Sequence, residues 1–177
     1  MTPASLPYRV GRLALADLPQ LMQVQARCYP AALVEAQSVF ADRLAAAPEQ
    51  AWGLWSGPGG GELRAYLVGY VSLLGLVAPL GAGFAPQPAG RFLYLHDLAV
   101  DPAGAGQGWG RALVTQALRE AQALGMTHAA LVAVAGAQSF WQRLGWWPHA
   151  TLAPSTHPAL ASYGPGALYM SRPIHCP

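Results

Sequence analysis

Four glycines fall in seven positions between Gly104 and Gly110, directly after the apolar stretch Leu93–Val100 and directly before a run with helical spacing. A strand, a glycine-rich turn and a helix start bring unpaired amides together, and the helix dipole adds a favourable term of roughly 0.3 to 1 kcal/mol for an anion. The chemistry this suits is phosphate binding. Two familiar phosphate loops fail against the letters. The dinucleotide pattern Gly-x-Gly-x-x-Gly meets Trp109 if started at Gly104 and Arg111 if started at Gly106, where glycine is required. A nucleoside-triphosphate loop needs a lysine, and all ten cationic residues are arginine. What remains is x-x-Gly-x-Gly over Gly106 to Gly110, leading straight into a helix.

The elements that must position this loop follow from periodicity and punctuation. Tyr8 to Leu15 reads as a first strand. Asp17 with Gln20 has the form of a capping box, and Pro19 suits a first helical turn, so a helix is expected to run to about Tyr29, where Pro30 stops it. A second helix carries Phe40, Leu44 and Ala47 on one face and ends before Pro48. Residues 51–56 and 62–74 flank a turn-like Gly-Pro-Gly-Gly-Gly as strand, turn and strand, with a loop from Pro79 to Arg91. Residues 92–100 form the next strand. From Trp109, Leu113, Ala117, Ala121 and Leu124 recur at helical spacing until Gly125, with Arg111, Thr115, Arg119 and Gln122 opposite. A short buried strand from His128, a helix ending at Gly145 and a last strand near Ala167–Ile174 complete a βααβββαβαβ order, that of an α/β domain with a mixed sheet. Residues 65–90 carry no charge and approach the length of a bilayer span, but their glycines and prolines favour the hairpin arm.

Composition narrows the function further. A chain of 177 residues with 53% hydrophobic and 10% charged residues is expected to be one domain over residues 1–177, able to self-associate, so that a homodimer is open. The formal charge of +2 comes without a basic face or an aromatic and arginine ladder, so nucleic acid is not the expected partner. The start of the chain has no signal-peptide pattern, and Cys28 and Cys176 have neither metal nor redox spacing; a cytoplasmic protein without a metal and without a membrane anchor is expected.

The loop, its position after Leu98–Val100, and the downstream Ser139-Phe140-Trp141-Gln142-Arg143-Leu144-Gly145-Trp146 segment together resemble the GNAT family of acyl-CoA-dependent N-acetyltransferases. The family's loop is R/Q-x-x-G-x-G/A and its downstream segment FYxxxGF. The resemblance spans nearly the whole chain and implies a single-domain fold with a mixed, mostly antiparallel sheet, splayed at the middle and covered by helices on both faces. It implies acetyl-CoA as co-substrate, with backbone groups of Leu98, Ala99 and Val100 pairing with the pantetheine arm. Amides of Gly106, Gln107, Gly108, Trp109, Gly110 and Arg111 would cradle the pyrophosphate. The leading Arg or Gln of the loop is Ala105 here, which should weaken cofactor binding a little.

Amine acetylation needs a neutral amine and a route for its proton, and a positioned base contributes roughly a hundredfold to ten-thousandfold. His96 is the first candidate, with a structural histidine as the alternative. Strand alternation puts Tyr94, His96 and Leu98 on one face and Leu95, Asp97 and Ala99 on the other, where Asp97 would fasten a neighbouring element. The stretch Tyr94–Val100 also resembles the arylalkylamine N-acetyltransferase branch, which has a histidine at the place of His96 and another at that of Tyr94 and moves the amine proton through water. The family's thiolate-protonating tyrosine is Trp141 here, which cannot serve; Tyr163 is the best substitute, ahead of Tyr94, Tyr169 and His149. Trp141 either shapes the thioester slot or packs in the core. The acceptor pocket is expected around Tyr29, Pro30 and Glu35, with Tyr94 and Trp141 contributing, and it suits an apolar amine better than a polycation. The leading expectation is acetyl transfer to the primary amine of a small molecule; protein or peptide N-termini, or a catalytically weak acyl-CoA-binding module, are the alternatives.

Overall fold

The computed structural model describes residues 8–57, 61–149 and 157–174. Seven strands form one sheet: β1 Tyr8–Arg12, β2 Ala51–Ser56, β3 Glu62–Ser72, β4 Phe92–Val100, β5 His128–Ala133, β6 Trp147–Pro148 and β7 Leu168–Pro173. Their order is β1-β2-β3-β4-β5-β7-β6, antiparallel throughout except for the parallel pair β4 and β5. The helices are α1 Leu18–Cys28, α2 Gln37–Ala46, α3 Trp109–Ala123, α4 Gln138–Arg143 and the one-turn α5 Pro158–Ala161. This is the expected α/β fold with a mixed, mostly antiparallel sheet and helices on both faces.

Burial explains the layers. Leu18, Leu21 and Val24 of α1 and Phe40 and Leu44 of α2 pack on Trp55, Leu63, Tyr66 and Val68 on one face. Leu113, Val114, Ala117 and Ala121 of α3 cover Trp52, Leu54, Leu67, Leu93 and Leu95 on the other. A sheet covered on both sides has continuous apolar strands instead of alternating ones. The uncharged stretch is therefore β3 and the loop after it, and among the described residues no helix is long and apolar enough to cross a membrane.

Four local expectations change. Asp17 Oδ2 accepts from the Ala14 amide at 2.8 Å, closing a 3-10 turn, while Gln20 Oε1 accepts from the Leu63 amide at 2.7 Å; the pair does not form a capping box, because β3 claims Gln20. The first strand stops at Arg12, before that turn. Leu124 is 67% exposed, because α3 ends at Ala123 and Gly125, at φ 72°, swings the chain away. The Pro- and Gly-rich tail also contains β6 and α5.

Two irregularities of β4 prepare the site. Its pairing with β5 runs only from Phe92 opposite His128 to Leu95 opposite Leu131, although β4 continues to Val100 and β5 to Ala133. The two strands diverge into a V. On the other side, Gly69 pairs with Leu95 but Val68 with Asp97, so His96 is an extra residue: a β-bulge. Glycine at 69 is required there, since a Cβ would run into the Tyr94 carbonyl oxygen.

Candidate active site

The wider of two adjoining spaces lies along the open side of β4. It is a cleft of about 570 Å³ between Leu98 and Val100, the glycine loop, the start of α3, and Ala137, Phe140, Trp141 and Arg143. Asp101 donates its amide to the Arg64 carbonyl on β3. By the alternation of an antiparallel ladder, the amides of Leu98 and Val100 point the other way, into the V. Gly106 and Gly108 both sit at φ 77°, a left-handed conformation that glycine takes without strain. The first helical bond of α3 runs from Ala112 to Gly108, leaving the amides of Trp109, Gly110 and Arg111 without intrahelical partners. The Gln107 amide instead closes a turn onto Gly104 at 3.0 Å, and the Trp109 ring is buried beneath Gly104. Ala105 lines the cleft without a charge, but Arg111 and Arg143 do so with exposed guanidinium groups, and among the described residues no acidic side chain lines it. The arrangement suits a chain of amides leading to a polyanion.

The narrower space, about 190 Å³, shares Leu98, Ala137 and Trp141 with the cleft, so the two meet where β4 and β5 part. Its remaining walls include Tyr29, Leu33, Glu35, Leu80, His96, Asp97, Leu131, Val132, Val134 and Tyr163. The bulge overturns the expected alternation: Leu98 joins Leu95 on the α3 face, while Asp97 points with His96 toward α1 and α2. Asp97 does fasten its neighbours, as expected, but from the cavity wall. Its Oδ1 accepts from the Tyr29 hydroxyl and its Oδ2 from the Tyr66 hydroxyl, each at 2.6 Å. Burial pushes the Asp97 carboxyl above its usual range, against the two hydroxyl bonds.

Glu35 is held differently. Its two oxygens accept from Arg43 Nη1 and Nη2, each at 2.6 Å, and Oε1 also accepts from the Gly81 amide at 2.7 Å. Burial alone would raise the Glu35 carboxyl; the bonds and charge of Arg43, helped by His96, hold it down at about 2. The Gln25 side chain brackets the Glu35 backbone, and Arg43 Nη2 donates to the Ala82 carbonyl at 2.7 Å. The ion pair thus ties the loop after β3 to α2 and secures it over the cavity.

His96 stands between these groups. Its Nε2 is 3.8 Å from Glu35 Oε2, its Nδ1 3.4 Å from the Tyr163 hydroxyl, and Phe84 packs edge-on against the ring. Burial lowers the imidazole below its ordinary value; the Glu35 carboxylate opposes this and the Arg43 charge adds to it. Burial thus favours the neutral ring. The nearby carboxylate favours the Nε2–H tautomer, leaving the Nδ1 lone pair on the Tyr163 side. Tyr163 donates to the Ala78 carbonyl at 2.6 Å, and burial pushes its phenol well up. Tyr94 lies behind the wall, against Tyr70 and His96, and Trp141 is buried against Trp146 at the junction of the two spaces.

Sequence reasoning missed Arg43, Tyr66 and Gln25. Arg43 had a signal: it follows Phe40 by three residues and precedes Leu44, on the apolar face of α2, where an arginine needs a buried anion.

The Acetyltransferase (GNAT) family description matches residues 18–146. The chain belongs to the GNAT acetyltransferase family. No curated protein matches it. Solved structures share its fold. The loading GNATL domain of CurA from Lyngbya majuscula is 16% identical, with a TM-score of 0.75 over 95% of this chain and 98% of that one. The ribosomal-protein-S18-alanine N-acetyltransferase of Escherichia coli is 21% identical, at 0.67 over 97% and 96%. Arabidopsis thaliana Naa50, in complex with the bisubstrate analogue CoA-Ac-MVNAL, is 14% identical, at 0.68 over 96% and 99%. Acetyl-CoA is accordingly the co-substrate, and the cleft fits it chemically: strand amides suit the amide-bearing pantetheine, and the helix start with Arg111 and Arg143 suits phosphate.

Proposed function

We propose that this GNAT acetyltransferase acetylates the primary amine of a small molecule by direct attack, in the manner of the arylalkylamine branch, with His96 as proton acceptor. The observation that carries this reading is the 190 Å³ cavity, walled by side chains and joined to the cofactor cleft at Leu98, Ala137 and Trp141. A peptide acceptor would call for an open groove with backbone partners.

When bound, acetyl-CoA supplies an electrophilic thioester carbonyl. Leu98, Ala99 and Val100 would meet the pantetheine arm, and the amides of Gly106, Gly108, Trp109, Gly110 and Arg111 the pyrophosphate; Gln107 contributes the turn. The Leu98 amide, turned into the V, is the candidate donor to the carbonyl oxygen, a type of contact whose loss costs about two to three orders of magnitude in rate, whereas the Ala99 amide faces β3. Tyr29 and Trp141 bound the acceptor, with Tyr94 supporting them from behind. The side chain of His96 is 1% exposed, so the amine proton reaches it through water or across the Tyr163 hydroxyl. Tyr163, with its phenol raised, keeps its proton at working pH, and that proton is directed to the Ala78 carbonyl, so the hydroxyl would have to turn to donate to the thiolate; a thiolate is a good enough leaving group to depart without full protonation. The net change is one N–C bond formed and one C–S bond broken, with two protons given up by the acceptor ammonium, one taken by the departing thiolate to give the coenzyme A thiol and one passed to the medium. The same reading sets the enzyme in the cytoplasm.

The test is thiol release from acetyl-CoA across arylalkylamines, alkylamines, polyamines, aminoglycosides, amino acids and short peptides. Turnover led by arylalkylamines or alkylamines is expected. Turnover confined to peptides would move the assignment to N-terminal acetylation.

A further inference from the structure

The cavity has two carboxylates in its wall, and only one has a counter-charge. Glu35 is matched by the bidentate Arg43 and by the Gly81 amide. Asp97 has only neutral donors, the hydroxyls of Tyr29 and Tyr66, and among the described residues it makes no ion pair within 4.0 Å. The cavity wall thus holds one carboxyl group with no cationic partner of its own.

Geometry makes this a binding feature as well as a fastening. Each Asp97 oxygen accepts one hydroxyl bond, and a carboxylate oxygen has two acceptor sites, so one on each oxygen is spare. The residue is partly exposed and lines the cavity, whereas the Arg43 side chain that could have neutralised it is fully buried with Glu35. Its orientation is also built in. Strict alternation would turn Asp97 toward α3, and it is the extra residue at His96 that brings both side chains to the acceptor side. A carboxylate in the wall of an apolar cavity is costly unless paired, and an incoming cation relieves that cost.

We propose that Asp97 is the specificity-determining anchor of the acceptor, its carboxylate receiving the protonated nitrogen of a substrate that carries a single positive charge on an apolar body. This rests on reading the cavity as the acceptor site. An ammonium docked there lies beside His96, which takes its proton before attack. Leu33, Leu80, Leu131, Val132 and Val134 offer nothing to a second cationic nitrogen, and Glu35 already has its counter-charge in the bidentate Arg43. Alkyl and arylalkyl monoamines are selected, and polyamines and aminoglycosides are disfavoured.

The experiment is isothermal titration of the full chain with 2-phenylethylamine, 2-phenylethanol, butylamine and 1,4-diaminobutane, in wild type and Asp97→Asn, with coenzyme A titrated into both. In wild type each monoamine is expected to bind at least tenfold more tightly than the neutral alcohol or the diamine. Asp97→Asn should remove that preference while coenzyme A affinity stays within twofold. Equal wild-type affinity for phenylethylamine and phenylethanol would overturn the proposal without recourse to the variant. So would an Asp97→Asn protein that binds coenzyme A normally and keeps the preference. Absence of turnover with every amine in the panel, alongside an intact ammonium preference, would instead count against the catalytic reading and leave the anchor standing.

Discussion

The larger cleft and the narrower cavity, which we read as the cofactor and acceptor sites, share Leu98, Ala137 and Trp141, yet they are made of different material. The cleft is largely backbone: strand amides turned into the V, two glycines at φ 77°, and the open amides of one helix start, all within Leu98–Arg111. The cavity is side chains from the segment after α1, the loop after β3, β4, β5 and the turn after it, α4 and the segment after α5, each dependent on the fold for its place. A backbone site tolerates changes of side chain and fails on changes of conformation. A side-chain site does the reverse.

The largest effect is expected at Arg43. Arg43→Ala leaves Glu35 buried with its charge uncompensated, a loss of about 3–5 kcal/mol in unfolding free energy, measured by urea denaturation near neutral pH. Coenzyme A affinity of the protein that remains folded should change little, because no cleft residue touches the pair. A drop below about 1 kcal/mol would show that the ion pair does not secure the cavity. Acid sharpens the same point. Glu35 is held at about 2 against an ordinary 4.5, so its contribution is complete above 4.5 and is lost as pH falls from there toward 2. Asp97 has the opposite sign: its carboxyl is raised above 3.8, so it costs stability as pH climbs past that value. Arg43→Ala should flatten the acid transition, whereas Asp97→Asn should leave neutral-pH stability within about 1 kcal/mol of wild type, since the amide keeps one hydroxyl bond and removes a buried charge.

His96 comes next. His96→Ala is expected to lower turnover at least tenfold and to flatten the acidic limb of the rate profile. In wild type that limb should lie below the ordinary histidine value of about 6.5, because burial lowers the imidazole. The KM for acetyl-CoA should hold, as the ring lies on the acceptor side of the junction. A mutant profile with the wild-type limb intact would remove His96 from proton transfer.

The same division explains what the sequence disclosed. The loop from Gly106 to Gly110 was readable because a backbone site is local: the residues that permit its dihedrals are the residues that form it. The strand and helix order was readable for the same reason, through Pro30, Pro48, Gly125 and Gly145. The single extra residue at His96 was not, because nothing in Tyr94–Val100 marks a bulge; its cause is Gly69 on the neighbouring strand, which admits the Tyr94 carbonyl. Alternation alone sent Asp97 to the wrong face. Likewise Gln20 looked like a cap residue because its real partner, the Leu63 amide, is 43 positions away. His96 and Tyr163 could be named singly, but their 3.4 Å approach depends on how the segment after α5 packs.

Gly108 tests the other half of the contrast. There is open space around a Cβ at this position, so Gly108→Ala meets no clash and is opposed only by its dihedral, at φ 77°. A left-handed alanine costs roughly 1–2 kcal/mol, and the loop should shed that strain by turning its amides away from the phosphate. Coenzyme A affinity is expected to fall about five- to thirtyfold, while the amine preference in direct titration stays as in wild type. Loss of that preference together with cofactor affinity would mean the two sites are not independent.

The smallest effect is expected where the chain departs from the family's loop. Ala105 is exposed on the cleft rim at φ −56°, a conformation open to any residue, so Ala105→Arg adds a guanidinium without strain. An exposed charge is worth about 0.3–1 kcal/mol at low salt and is screened beyond about 10 Å at 0.1 M. Coenzyme A affinity should rise about two- to fivefold in dilute buffer and return to the wild-type value in about 0.5 M salt. A gain that persists in salt would point to a fixed bidentate contact, and the loop would then depend on a side chain. No gain at low salt would mean that Arg111 and Arg143 already neutralise the phosphate region, which would locate the cleft's charge on α3 and α4 and leave conformation as the loop's whole contribution.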